Sequence, residues 1–416
     1  MAGFGQVPPR PAPRLKDDRL SEEDFTFEVP RDLFADSVSW VTRRLPARPA
    51  MPLLAGLLLS ADETGELSLG GTDYDLTAQA HLSAQVSGPG KVLVSGRLLA
   101  DIAKALPSPS VRIATEGTKV HVRSGSAKFT LPSMPVDEFP SLAEHPTPIG
   151  SAQAKELFAA ISQVGVAASR DDTLPALTGL RLVFTQEGIE LAATDRFRLS
   201  VRKLVWDGKG VGEEPLTALV PAAVLSEFAR TQLETDDAPV EFALDQGAGS
   251  PSLLGVQAGP FRITTRLLDA QLPDVSQLIP KRYSSLARVE LAPLVEAVRR
   301  VSLVSARRSQ IRLDFQGSGS DALLKLSAGA EEAGFAEEEL AVQHWGEPIS
   351  VVFNPGYLLD GLSTFRGECG QFGFTGPNRA VALVTGDGPE PEETAEGYTA
   401  DAPDQVYVLM PVRLQG

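Results

Sequence analysis

One cysteine, Cys369, and four histidines are all that this 416-residue chain offers for thiol or imidazole chemistry. A single thiol excludes an internal disulfide and a cysteine metal cluster and fits a reducing cytosol; its plain reading is a small buried filler. His81, His121, His145 and His344 stand in no metal-ligand spacing, so no metal is expected. Aromatic residues make up only 6% of the chain while Val, Leu and Ala abound, which favours many small repeated packing units over one aromatic-rich core. Long apolar runs are missing as well. Met51 to Ser60 falls far short of the roughly 20 residues that cross a bilayer. The opening MAGFGQVPPRPAPRLKDD lacks the apolar stretch of a signal peptide. The expectation is a soluble, cytoplasmic protein with no membrane partner.

Catalytic constellations are equally thin. No nucleophile and base pair assembles from the sequence, so a hydrolase is not expected and no cofactor is implied. GKGVGEEP, around Gly208 to Gly212, has the glycines of a phosphate loop but neither its G-K-[ST] ending nor a helical pattern behind it. The acidic run Glu337, Glu338, Glu339 reads as a solvated face.

What the chain does have is repetition. With 43% hydrophobic residues it can build roughly two to four cores. Residues 1–24, rich in Pro, Arg and charge, read as a disordered tail or a short docking motif. Beyond them LPARPAMPLLAGLLL recurs as DDTLPALTGLRLVF, with Pro52 against Pro175 and Gly56 against Gly179 at the same separation. GTDYDLTA recurs as ATDRFRLSV, Thr72 and Asp73 against Thr194 and Asp195, at one position less. A fixed offset across independent anchors marks duplicated units. A third, more diverged copy keeps the helical pattern.

Three helical stretches open the copies: RDLFADSVSWVTRRL, AKELFAAISQVGVAA and APLVEAVRRVSLV. Leu157, Phe158, Ile161 and Val164 match Leu294, Val295, Val298 and Val301 as one apolar face; the first copy offers Leu33, Phe34, Ser37 and Trp40, a looser match. A second family sits midway through each copy, aligned as Leu98, Leu99, Ile102, then Val224, Leu225, Phe228, then Leu358, Leu359, Leu362, and starting at Ser, Pro or Asn-Pro. Alternating runs such as KVHVRSG, KFTL, EFAL and FRITTRL read as half-buried strands. The fold class is therefore α+β: three repeated domains over 25–148, 149–282 and 283–416, each with two helices laid on antiparallel sheets.

Net charge is −16, which at first argues against a nucleic-acid partner. Its distribution reverses that judgement. The helices and their flanks carry Arg31, Arg43, Arg44, Arg48, Arg97, Lys104, Lys155, Arg170, Arg230, Arg299, Arg300, Arg307, Arg308 and Arg366, against fewer acids. Turned to one common surface, they would hold duplex DNA through its phosphates without reading sequence; the plain alternative is solubility and local ion pairing.

The segments KVLVSGRLLADIAKALP, FTLPSMPVDEFP, DDTLPALTG, ATDRFRLSVR, RLLDAQLPD, VVFNPGYLLDGL and the closing VYVLMPVRL resemble the bacterial DNA sliding clamp, the beta subunit of DNA polymerase III, over essentially the whole chain after residue 24. The wording of DDTLPALTG and ATDRFRL looks like actinobacterial versions. The resemblance implies a non-catalytic processivity factor: a head-to-tail ring homodimer around double-stranded DNA, which binds polymerase subunits and the clamp loader through short peptide motifs. The client pocket it implies comprises Leu177, Thr194, Phe197, Arg198, Leu199, Pro273, Leu278, Val408, Met410, Pro411, Val412 and Arg413, with Asn378 and Ala380 at its edge. Without the resemblance these residues read as ordinary core and a frayed end. DNA-facing positions are Arg48, Arg97 and Lys104, with Arg170, Arg230, Arg307 and Arg308 following by repeat symmetry; Leu303 and Val304 fall at the dimer interface. The tail, Asn378 and Ala380, and the long insert GDGPEPEETAEGYTADAPDQ depart from the family pattern. These departures motivate a second reading: a specialised second-copy clamp that confers resistance to a clamp-directed antibiotic.

Overall fold

The computed structural model describes residues 25–46, 48–62, 64–232, 238–245, 251–304, 310–330, 334–395, 397–399 and 404–412. The tail expected over 1–24, together with Arg307, Arg308 and Arg413, lies outside them.

Secondary structure follows one pattern three times. The first copy runs β1 (Thr26–Pro30), α1 (Arg31–Thr42), β2 (Gly56–Ala61), β3 (Glu66–Thr72), β4 (Leu76–Ser83), β5 (Gln85–Ser87), β6 (Gly90–Ser95), α2 (Gly96–Ala105), β7 (Ser110–Glu116), β8 (Lys119–Ser124) and β9 (Ala127–Pro132). The second runs β10 (Thr147–Gln153), α3 (Ala154–Gly165), β11 (Gly179–Phe184), β12 (Gly188–Thr194), β13 (Arg198–Val205), β14 (Leu216–Pro221), α4 (Ala222–Gln232), β15 (Pro239–Leu244), β16 (Leu253–Ala258) and β17 (Phe261–Arg266). The third runs β18 (Ser285–Glu290), α5 (Leu291–Val301), β19 (Ile311–Gln316), β20 (Gly319–Ala330), β21 (Gly334–Gly346), β22 (Ile349–Phe353), α6 (Pro355–Leu362), β23 (Cys369–Phe374), β24 (Val381–Thr385), a small hairpin of β25 (Glu392–Thr394) and β26 (Gly397–Thr399), and β27 (Gln405–Leu409).

Strand order confirms the duplication. The half-sheets β6-β2-β3-β4, β14-β11-β12-β13 and β22-β19-β20-β21 share one topology, and β1-β7-β8-β9, β10-β15-β16-β17 and β18-β23-β24-β27 share the other. The pairings among the described strands are antiparallel, so short loops suffice for most connections. Alternation is clean where one face meets solvent: β8 (KVHVRS) buries Val120 and Val122 and exposes Lys119 and Arg123. In contrast, all five residues of β27 (QVYVL) are buried, as befits a strand covered on both faces.

The chain folds as two compact units, one containing the described residues up to Asp73 and Ala78–Leu142, the other Tyr74–Thr77 and the residues from Ala143 onward. Within the second unit β13 pairs with β27, which joins the second and third copies into a single 12-stranded sheet.

Helix caps correct two registers expected from sequence. Counting from the residue that precedes each helix, Pro30, Gln153 and Glu290, the buried positions coincide: Phe34, Leu157 and Leu294; Val38, Ile161 and Val298; Val41, Val164 and Val301. The first copy is thus shifted by one residue from the expected Leu33, Phe34, Ser37, Trp40 face, and Leu33 is exposed. Trp40 and Ser37 are also buried, which made the wrong register look tolerable. The third copy of the second helix family slips likewise. Counting from Ser95, Pro221 and Asn354 aligns Leu99, Leu225 and Leu358, then Ile102, Phe228 and Gly361. Gly361 replaces a large side chain because the Tyr407 ring fills its place: a Cβ there would lie 2.4 Å from that ring. Asn354 caps α6 by accepting hydrogen bonds from the Gly356 and Tyr357 amides, with Pro355 in the first helical position.

The repeated Thr-Asp pair has a turn-making role. Tyr74 and Arg196, each following its Asp, are the two non-glycine residues with left-handed backbone among the described residues, at φ 79° and 78°. Cys369, expected to be buried, is only partly so, and burial together with Asp387 pushes its thiol pKa up.

Candidate binding surfaces

The turn between β12 and β13 is built by its own side chains. Asp195 Oδ1 accepts the amides of Phe197 and Arg198, both at 3.0 Å, and Thr194 Oγ1 donates to the Arg198 carbonyl at 2.6 Å. That web holds Arg196 in its left-handed conformation and lifts Phe197 to 56% exposure, an unusual position for so large an apolar ring. Phe197 stacks on Tyr357 of α6, ring centroids 6.2 Å apart, and its carbonyl accepts the Met410 amide at 2.9 Å.

Arg198 locks the same turn to the third copy. Its Nε donates to Asp195 Oδ2 at 2.9 Å, its Nη1 to Asp360 at 2.5 Å, and its guanidinium lies 4.5 Å from the Tyr357 ring centroid. Burial by itself would lower the Arg198 pKa, but the Asp360 hydrogen bond and the neighbouring Tyr407 and Asp195 outweigh it, so the cation is held more firmly than usual. Tyr407, wholly buried, donates its hydroxyl to the Tyr357 carbonyl at 2.9 Å, and burial raises its pKa.

Below these groups the sheet supplies an apolar floor. Register places Leu199 beside Val408 and Val408 beside Ala382 on three successive strands. Leu199, Val408, Ala382, Val275 and Tyr283 belong to one buried cluster, against which Ala380 and Ile279 pack. Leu278 (60% exposed) and Met410 (43%) stand at the surface close in sequence to Val275 and Val408 of that floor; Leu174 (41%) is exposed before the 3-10 turn Pro175–Thr178. An apolar floor flanked by exposed apolar side chains is the composition of a peptide-binding cleft.

Of the expected pocket residues, contacts bring together Thr194, Phe197, Arg198, Leu199, Val408, Met410 and Ala380. Leu177 sits in the 3-10 turn that leads into β11, half-buried, and its carbonyl accepts the Ser169 amide. Pro273 is exposed, and Pro411 and Val412 are half-buried, the latter donating its amide to the Val352 carbonyl. Asn378 is exposed in the turn between β23 and β24. Sequence reasoning missed Asp195, Tyr357 and Asp360, which position Phe197 and Arg198. The recurrence of Thr-Asp at Thr72-Asp73 was the available signal for Asp195; α6 gave none for the other two.

The basic positions divide by partner. Arg97 and Lys104 are exposed on the face of α2 opposite buried Leu99, Ile102 and Ala103. They, Arg48 and Arg170 are exposed and form no ion pair among the described residues. Arg230, by contrast, pairs with Glu227 one turn back, Arg299 with Glu296, and Arg300 with Glu338 of β21. Leu303 is 83% exposed beside half-buried Val304. No group of three metal-ligating side chains and no helix able to cross a membrane occurs among the described residues.

Comparison with known proteins decides the family. Profiles of the DNA polymerase III beta subunit match residues 25–143 for its N-terminal domain, 152–274 for its central domain and 276–393 for its C-terminal domain. The chain belongs to the DNA polymerase III beta subunit family. The beta sliding clamp of Streptomyces coelicolor is 41% identical over 390 residues, 94% of this chain and 100% of that protein. A beta sliding clamp homolog named GriR from Streptomyces muensis is 40% identical over 387 residues, 93% of this chain and 99% of its own. Among solved beta subunits, that of Pseudomonas aeruginosa superposes with a TM-score of 0.82 at 28% identity, covering 94% of this chain and 100% of the other. A further structure of that clamp, bound to griselimycin, gives 0.81 at 28% with the same coverage.

Proposed function

We propose that this sliding clamp closes as a head-to-tail homodimer around duplex DNA and captures client proteins by a short peptide in the cleft over Leu199 and Val408. The family implies DNA and polymerase as partners and a ring dimer. The finer reading, a peptide site served also by a clamp loader, is supported by one observation above all: Phe197, a large apolar ring held out at 56% exposure by a network that ends on Arg198. With Met410 hydrogen-bonded to it and itself 43% exposed, Phe197 offers neighbouring apolar surface that an occupant could bury. Arg48, Arg97, Lys104 and Arg170, exposed and without an ion pair among the described residues, suit loose phosphate contacts, because a topological ring needs no tight ones.

The peptide site is tested by Met410→Ala and Phe197→Ala. Each should weaken a fluorescent client peptide about tenfold or more, the loss of one buried anchor, without changing the oligomeric state. Truncation must spare Val408 and Leu409, which are hydrogen-bonded strand residues of β27. Unchanged peptide affinity in both variants would refute the cleft. Sedimentation should give a particle near twice 44.2 kDa, and a monomer at micromolar concentration would refute the ring. The resistance reading is not advanced: identities of 41% to a clamp and 40% to GriR do not separate the two.

A further inference from the structure

Repeat symmetry exposes an addition to the third copy. Gly125 and Ser126 suffice to join β8 to β9, and Gly259 and Pro260 to join β16 to β17, whereas residues 386–404 stand between the equivalent strands β24 and β27. A hairpin turns on as few as two residues, so closing the fold does not require the longer connection, and long connections commonly carry function. Its described residues are anchored at two points. Near its start, Arg288 of β18 donates from Nη2 to the Pro389 carbonyl at 2.7 Å. Further on, the β25–β26 hairpin brings Tyr398 beside Tyr283. The Tyr283 amide donates to the Tyr398 carbonyl at 3.0 Å and the Tyr398 amide to the Tyr283 carbonyl at 2.8 Å. The approach is close enough to require glycine next door: a Cβ on Gly397 would lie 2.4 Å from the Tyr283 carbonyl oxygen.

Both tyrosines reach the apolar floor of the cleft. Tyr398 packs on the cluster that holds Leu199, Ala382 and Val408. The Tyr283 ring lies against Gly373, where a Cβ would approach it to 2.4 Å; Gly373 pairs with Ala382, and Ala382 with Val408. The Tyr283 hydroxyl donates to the Pro280 carbonyl at 2.9 Å. That carbonyl ends the segment 272–280, in which Val275 is buried in the cluster and Ile279 packs against it. Between those two anchors Leu278 closes the 3-10 turn Ser276–Leu278, its amide on the Val275 carbonyl at 3.0 Å, and its side chain is left exposed. So short a turn is weakly self-supporting, and its placement depends on what holds its ends.

We propose that the added hairpin braces the client cleft: Tyr398 seats Tyr283, and Tyr283 holds the Pro280 carbonyl, so that Leu278 stands ready for the apolar anchor of a client peptide. Tyr398 and Tyr283 are positioning residues that act through Leu278. The inference rests on the peptide-cleft reading above. An apolar side chain already in place spares the ordering cost that the peptide would otherwise meet on binding.

The test is titration of the full chain with a fluorescent client peptide, for Tyr398→Ala, Tyr283→Phe and Leu278→Ala singly and for each tyrosine variant combined with Leu278→Ala. Tyr398→Ala and Tyr283→Phe should each weaken the peptide about three- to tenfold, the loss of pre-positioning and of one hydrogen bond. Each combination should bind no more weakly than Leu278→Ala alone, because the brace has nothing left to position. Tyr398→Phe should keep parental affinity, since the ring packs on the cluster. Should Tyr398→Ala fold poorly, the cycle of Tyr283→Phe with Leu278→Ala decides by itself. Parental affinity in both tyrosine variants, with Met410→Ala weakened, overturns the brace and leaves the cleft standing. Fully additive losses in the combined variants also overturn it, as does a lowered thermal midpoint with unchanged affinity, which would make the hairpin structural only. Parental affinity in Met410→Ala and Phe197→Ala instead overturns the cleft, and the brace with it.

Discussion

Removing the Asp195 carboxylate should loosen both the sheet junction and the peptide cleft. Asp195→Ala deletes three hydrogen bonds at once: the Phe197 and Arg198 amides on Oδ1 and the Arg198 Nε on Oδ2. Both side chains of the ion pair are enclosed, at 10% and 11% exposure. Breaking an enclosed pair costs about 3–5 kcal/mol when the survivor is stranded. Here Arg198 keeps Asp360, itself 52% exposed, and the two amides sit at a solvated tip where water can replace the carboxylate. The expected loss is therefore about 2–4 kcal/mol: one charge-assisted bond in full and the two amides at the low end of the usual range. Asp195→Asn separates the contributions, because its amide oxygen can still serve the backbone while its NH2 faces the Arg198 Nε donor. Urea unfolding followed by fluorescence of Trp206 and Trp345, both in the unit that holds the turn, should show the alanine variant most destabilised and the asparagine variant between it and the parent. In a client-peptide titration both should lose about tenfold, since Phe197 is no longer pre-positioned. An alanine variant with parental midpoint and parental affinity would refute the whole account of the turn.

Arg196→Gly should leave stability unchanged or raise it by up to about 1 kcal/mol, since glycine adopts its left-handed conformation freely, whereas Arg196→Val should cost about 1–2 kcal/mol; thermal unfolding distinguishes them. Gly361→Ala should cost about 1–3 kcal/mol through collision with the Tyr407 ring, and adding Tyr407→Leu should return part of that loss, a coupling that a double-mutant cycle measures. Burial pushes the Tyr283 pKa up to about 12 from 10.0. A pKa raised on folding contributes stability that is complete below pH 10 and lost as pH climbs toward 12, so about 2–3 kcal/mol should disappear across that window. Tyr283→Phe should flatten that slope; an identical alkaline slope would sink the assignment.

Much of the architecture was legible because duplication writes the same constraint more than once. Leu157 and Leu294 share a face because each copy buries the same helix surface, and Pro52 and Pro175 share an offset because each opens the same 3-10 turn before a strand. The misplaced registers failed for a physical reason. In α1 Trp40 and Ser37 are buried beside the true stripe of Phe34, Val38 and Val41, so two faces compete in the pattern. In α6 the expected large residue is absent, and Tyr407, close in space but distant in sequence, takes its volume. The proposed cleft rests on resemblance, since Leu199 and Val408 read as core in the sequence and only the pairing of β13 with β27 sets them side by side. Asp360 and Tyr357 act across that seam, and no local pattern announces a partner from another copy. The basic helix positions were visible, but not that Arg230, Arg299 and Arg300 spend their charge on neighbouring carboxylates.

The pairing of β13 with β27 carries a cost during synthesis. Strand β13 emerges from the ribosome before the entire third copy, yet its hydrogen-bonding neighbour on that side is β27, the last of the described strands. Throughout that interval Leu199 and Val201 belong to an open sheet edge, the kind of surface that templates aggregation. Closing the seam is a long-range step, so it should be slow relative to folding within each copy and should be the step most dependent on chaperones. A nascent chain stalled just short of β27 would leave β13 without that neighbour and the second and third copies unjoined along this seam.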